Sequence, residues 1–165
     1  MENSDIATLF DYNYWANARV LDAAERITVA QYSAPAGLSH GSLRATFVHT
    51  LAAETVWRLR CQGNSPASML SEAEFPTLDL LRSRWRTEEQ ALRAYLAALS
   101  AAYLHVTIQY HTTKGIPYEE PLWNILVHMV NHGTQSRAEA GIALLAFGQS
   151  PGDLDMILYF RELKK

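Results

Sequence analysis

The sequence predicts an all-α fold: one four-helix bundle with a single longer crossover and a short C-terminal segment. Three observations carry that expectation. The composition is rich in Ala and Leu, four long stretches space their apolar residues by three and four, and breaks bearing glycine or proline separate them. The 165 residues include 23 Ala and 21 Leu against 7 Val and 7 Ile. Ala and Leu lose little freedom in a helix, whereas β-branched side chains lose χ1 freedom there. The length suits one domain over residues 1–165, with no repeat or low-complexity tract.

The first helix is expected from about Ser4 to Arg26, with Ser4 as its N-cap. Ile6, Leu9, Phe10, Asn13, Asn17, Val20, Leu21 and Ala24 fall on its inward side. Residues 33–41 hold Pro35, Gly37 and Gly41 and read as a loop. A second helix begins near Ser42 and ends before Gly63, with Ala45, Val48, Ala52, Val56 and Leu59 as its stripe and His49 on the flank. Residues 63–76, with Gly63, Pro66 and Pro76, form a connector. Thr77 opens a third helix to about Ala102, whose apolar positions are Leu78, Leu81, Trp85, Leu92, Leu96 and Leu99. Its Arg82, Arg84, Arg86, Glu88, Glu89 and Arg93 read as a solvated face of mixed sign.

Leu104 to Tyr110 alternates at period two, and with Gly115 and Ile116-Pro117-Tyr118 it predicts a short hairpin or an extended crossover. The fourth helix starts near Pro121, a residue suited to the first helical position, and runs to about Phe147 before Gly148. Ser150-Pro151-Gly152-Asp153-Leu154-Asp155 then leads into a short segment from Met156 to Leu163.

Charge and composition exclude several functions. With 14 basic and 17 acidic residues the net charge is −3, so no basic field favours nucleic acid. No apolar run approaches the roughly 20 residues of a membrane span. Met1 to Asp5 is acidic and does not read as a signal peptide, so a cytoplasmic location is expected. The single cysteine, Cys61, agrees with a reducing compartment and excludes both an intrachain disulfide and a cysteine-only zinc site. It reads as a passive small side chain.

Chemistry concentrates on the fourth helix, which is apolar nearly all round from Leu122 to Gly133. His128 and His132 are four apart, one turn along one face, and can converge on a single ion; Ser136 continues the row. His49 on the second helix offers a third imidazole. Three neutral nitrogen ligands with an open position make a catalytic first-row metal centre, and imidazole suits zinc and nickel alike. The alternative is a histidine pair hydrogen-bonded inside the bundle. Asn13 and Asn17, four apart on an apolar face, either bind a ligand, orient a histidine or pair between helices. Glu54 and Arg58 read as a surface ion pair, Arg137 and Glu139 as structural, and His40, His105 and His111 as solvent-facing. Trp15, Trp57, Trp85 and Trp123 are expected to pack the bundle or a dimer face. There is no phosphate-binding glycine loop and no Ser-His-Asp order.

Four stretches together resemble the DinB family: Leu9 to Asn17, His49 to Glu54, His128 to Arg137, and Phe147 to Asp155. The resemblance covers essentially the whole chain in order. It implies a DinB/YfiT-like bundle in up-down-down-up order, a homodimer, and a divalent metal, zinc or nickel, held by three histidines between the second and fourth helices. By that resemblance His49 matches the first ligand and His132 the second, in an Asn-His-x-x-x-His-Arg motif. The third ligand position is Ser136, just before Arg137. A neutral hydroxyl is a poor ligand for zinc or nickel. His128 is the substitute at hand, yet about 12 Å of helix rise separates positions 128 and 136, so its use would move the metal along the bundle.

The family further implies a thiol-dependent transferase or isomerase, or a metal-dependent hydrolase. A low-molecular-weight thiol or another small-molecule substrate would then enter a pocket bounded by Asn13, Asn17 and Ser136. Ser136 also supports the opposite expectation, a metal-free bundle that binds a small ligand or serves as a scaffold.

Overall fold

The computed structural model describes residues 1–164. In chain order it contains α1 (Asn3–Ala24), α2 (Val29–Ser33), α3 (Leu43–Cys61), α4 (Leu78–Ala97), β1 (Thr107–His111), β2 (Pro117–Pro121), α5 (Leu122–Ala146) and α6 (Met156–Glu162). Short 3₁₀ turns at Glu72–Glu74 and Ala101–His105 flank α4. The fold is mostly helical. Among the described residues no helix is long and apolar enough to cross a membrane.

Capping chemistry sets most of the boundaries. The Ser42 and Thr77 hydroxyls accept from the backbone N–H of Ala45 and Leu80, so α3 and α4 begin where the sequence predicts. The first helix begins earlier than expected because Glu2, not Ser4, is its N-cap and shares a reciprocal capping box with Asp5. A similar box between Thr28 and Gln31 nucleates the five-residue α2, which is too short for apolar periodicity to reveal. Pro121 ends β2 and caps α5 from outside the helix. Gly63 and Gly148, at φ of 82° and 75°, provide the left-handed residues that let the chain leave α3 and α5. The expected hairpin forms with Tyr110 opposite Tyr118 and Thr107 opposite Pro121.

The extensive contacts among the four long helices run from α1 to α4 and α5 and from α3 to α4 and α5. Tertiary pairings connect Asn13 and Asn17 to Arg137, Arg26 to Gln149, Asp11 to Arg93, Asp22 to Arg82, and Glu54 to Trp85. The apolar core has two parts. Phe10, Ala16, Leu92, Leu104, Leu122, Ile125 and Met129 belong to one, and Val20, Leu43, Leu51, Leu81, Ala140 and Leu144 to the other. Between them, at the middle of α1, α3 and α5, lies a layer of buried polar side chains.

One helix-surface expectation is corrected. Glu88 is fully buried rather than solvated, and Arg58 reaches across from α3 to hold it with two hydrogen bonds while Arg84 joins from one turn away. Glu54 therefore does not pair with Arg58. A carboxylate on the side of α4 facing α3 is stable only because a guanidinium fork satisfies it there.

Candidate metal centre and its buried support

His49 occupies the first half of α3 and His132 the middle of α5, and the two half-buried rings meet across the helix contact. Their Nε2 atoms are 3.0 Å apart. In that geometry one nitrogen donates a proton to the other. Two imidazole nitrogens on one tetrahedral zinc ion are about 3.3 Å apart, given Zn–N distances of about 2.0–2.1 Å. The pair is therefore close to a two-point chelating arrangement. Burial pushes the His49 imidazolium down to about 4, helped by His40 and then His132, with Glu139 acting the other way. Burial, followed by His128 and His40, lowers His132 as well. Both rings are thus neutral at pH 7, the form that binds metal.

His40 and His128 flank this pair and are exposed. The His40 ring stacks on His49 with centroids 3.8 Å apart, so its plane lies alongside its neighbour instead of converging nitrogen to nitrogen. Ser39 holds that loop in place by donating its N–H and hydroxyl to Glu139 of α5. His128 lies 5.9 Å from His132 by ring centroid and edge-on to Trp57 at 5.2 Å. His105 and His111 are exposed, as expected.

Ser136 is buried one turn beyond His132. Beside it, Asn17, Thr50, Trp85 and Arg137 help enclose a cavity of about 10 Å³, room for one water molecule. Among the described residues no group of three or more His, Cys, Asp or Glu is placed to hold a metal ion. The donor set is two imidazoles and a neutral hydroxyl, so two ligand positions fit a divalent ion and the third does not.

Beneath the histidines, Glu54 organises the polar layer. It is 2% exposed and accepts from Asn13 Nδ2 at 3.0 Å, Asn17 Nδ2 at 3.4 Å and Trp85 Nε1 at 2.8 Å. The same two asparagines turn their carbonyl oxygens to Arg137, whose guanidinium donates to Asn13 at 2.5 Å, Asn17 at 2.8 Å and Thr134 at 2.9 Å. Each asparagine is thus a dipole between a buried carboxylate and a buried cation, a use that engages both ends of its amide. Burial raises the Glu54 carboxyl and lowers the Arg137 guanidinium.

Asn13 and Asn17 are 0% and 4% exposed, and the space beside Asn17 and Ser136 is of single-water size, far below a substrate pocket. The structure gives these asparagines the task of joining α1 to α3 and α5. Sequence reading placed Glu54 at the surface, although a signal existed: it is the sole carboxylate in a helix that is otherwise apolar or small around it. Cys61 is buried and its thiol is pushed up to about 12 by burial, which leaves it inert at neutral pH.

The family model of the DinB family matches residues 1–163. The chain belongs to the DinB family. No curated protein matches it.

Proposed function

We propose that this DinB-family protein binds a divalent transition metal between α3 and α5 through His49 and His132. The remaining coordination positions are left to solvent or substrate, and the chemistry is a metal-dependent transfer, with a low-molecular-weight thiol as co-substrate, or a hydrolysis. The observation that supports this most directly is the 3.0 Å approach of the two Nε2 atoms on neutral, half-buried rings. An ion bound there would lower the pKa of a thiol or polarise a carbonyl. The protein's own part is to keep the two rings neutral and facing each other, through burial between α3 and α5 and the neighbouring histidines. The pairings among the long helices support an up-down-down-up four-helix bundle, in which α1 runs with α5 and α3 with α4. The family resemblance also supports a homodimer, and the single cysteine, Cys61, supports a cytoplasmic location.

Chelator-treated protein without a histidine tag is titrated with zinc and with nickel by calorimetry. Saturable uptake is expected, weakened at least tenfold, about 1.4 kcal/mol, by His49→Ala and by His132→Ala. Uptake that neither substitution alters would overturn the reading. A second reading, a metal-free ligand-binding or scaffold bundle, is favoured by Ser136 at the third ligand position and predicts no uptake at all.

A further inference from the structure

Arg60, in the last turn of α3, is 7% exposed, and among the described residues its side chain makes no hydrogen bond and has no carboxylate within 4.0 Å. Its Nε is buried without a partner. Every other deeply buried charge is matched: Glu88 by Arg58 and Arg84, and Glu54 and Arg137 through Asn13 and Asn17. An isolated buried cation is costly unless something compensates it. Two partial compensations are visible. The guanidinium carbon sits 4.5 Å from the Trp57 ring centroid and 5.1 Å from that of Tyr110, and the carbonyl end of a helix favours positive charge. Neither satisfies the buried Nε–H, and the two terminal nitrogens, which are not fully buried, have no protein partner among the described residues. The two rings are 5.1 Å apart and nearly perpendicular at 72°, so they form a corner behind the guanidinium.

We propose that Arg60 is a binding site for the carboxylate of a small acidic ligand. A planar guanidinium fixed against two rings matches a carboxylate edge to edge. The small solvent-facing edge left at the terminal nitrogens admits a small terminal group more readily than a protein surface. Arg60 is eleven residues from His49, about three turns along the same face of α3, which places the anion about 16 Å along the helix axis from the histidine pair. Trp57 connects the two places, touching Arg60 on one side and His128 on the other. A ligand reaching both would be elongated, with its acidic end at Arg60. The site does not depend on whether His49 and His132 take an ion.

The test follows the Arg60 Nε–Hε signal of the full chain by ¹⁵N NMR, assigned by its loss in Arg60→Met, during titration with glutarate at constant ionic strength. A saturable shift and a rise in Tm with glutarate are expected. The Tm rise should vanish in Arg60→Met and need at least about tenfold more glutarate in Arg60→Lys, the loss of one charged hydrogen bond. Arg60→Met should retain or raise the Tm of the ligand-free protein, since it removes an unpaired buried charge, so a lost response would not reflect a lost fold. His49→Ala should keep the glutarate response, which separates this site from the metal reading. An identical Tm response in Arg60→Met would overturn the proposal, as would a stronger response to inorganic phosphate. Loss of self-association in Arg60→Met without any anion response would also overturn it, assigning the counter-charge to a second copy of the chain.

Discussion

Asn13 stands where Gly133 would carry a side chain: a Cβ built at 133 lies 2.6 Å from Asn13 Oδ1 and 2.9 Å from the nearer guanidinium nitrogen of Arg137. Neither neighbour is free to move, because each holds the other in the buried layer. In an ordinary helix Gly→Ala stabilises by about 1 kcal/mol. Here Gly133→Ala is expected to destabilise by about 1–3 kcal/mol, since overpacking outweighs propensity. Urea denaturation checks it, and a stabilised variant would show that the layer yields.

Glu54→Gln tests the charge at the centre of that layer. The amide retains one acceptor for Asn13 and Asn17 but must point N–H groups either at them or at the Trp85 indole N–H. An unsatisfied buried donor and a weakened field on Arg137 predict a loss of about 1–3 kcal/mol in unfolding free energy. An unchanged free energy would mean that Glu54 is already protonated and acts only as an acceptor and donor.

The Arg58–Glu88 contact carries a separate expectation. Arg58→Ala strands a fully buried carboxylate with only the longer Arg84 contact at 3.3 Å, so a loss of about 3 kcal/mol is expected. Adding Glu88→Leu to Arg58→Ala should recover much of it, because the stranded charge is gone. Thermal and chemical melts of the single and double variants decide this.

Ser136→His would give position 136 the imidazole that the family motif has. With room for only one water beside position 136, the new ring must displace neighbouring side chains to reach the ion at His49 and His132. Zinc affinity measured by competition with a chelating dye is expected to rise at least about a hundredfold, or about 2.7 kcal/mol. Unchanged affinity would mean that position 136 is out of reach of the ion.

For metal-free protein the histidines set a pH dependence. His49 is pushed down to about 4 from 6.5, so between those values the unfolded chain binds more protons than the folded one. Stability is full above about pH 6.5 and falls as pH drops toward about 4. The full shift corresponds to about 3 kcal/mol, and solvent screening of a half-buried ring reduces it to about 1–2 kcal/mol. His49→Asn should flatten this slope, measured by urea melts from pH 7 to 4 with chelator present. Glu54 works in the opposite direction, its raised carboxyl favouring the folded state as pH falls, and it remains in both proteins.

The long helices, their Ser42 and Thr77 caps and the hairpin were legible because each follows from local spacing and capping chemistry. His49 and His132 were legible through the family motif, which places residues 83 positions apart at one site. Glu54 and Glu88 were not. A carboxylate within a helix reads as solvent-facing unless its partners are known, and those partners, Asn13, Trp85 and Arg58, come from other helices.

By itself the sequence determined the helical composition, the order of the four long helices and the two histidines that face each other. Only the tertiary structure decided that Asn13 and Asn17 are structural dipoles and that Arg60 has no counter-charge among the described residues. The physical reason is burial: whether a polar side chain is solvated, paired or stranded depends on what other segments place against it, and spacing along one helix carries no record of that.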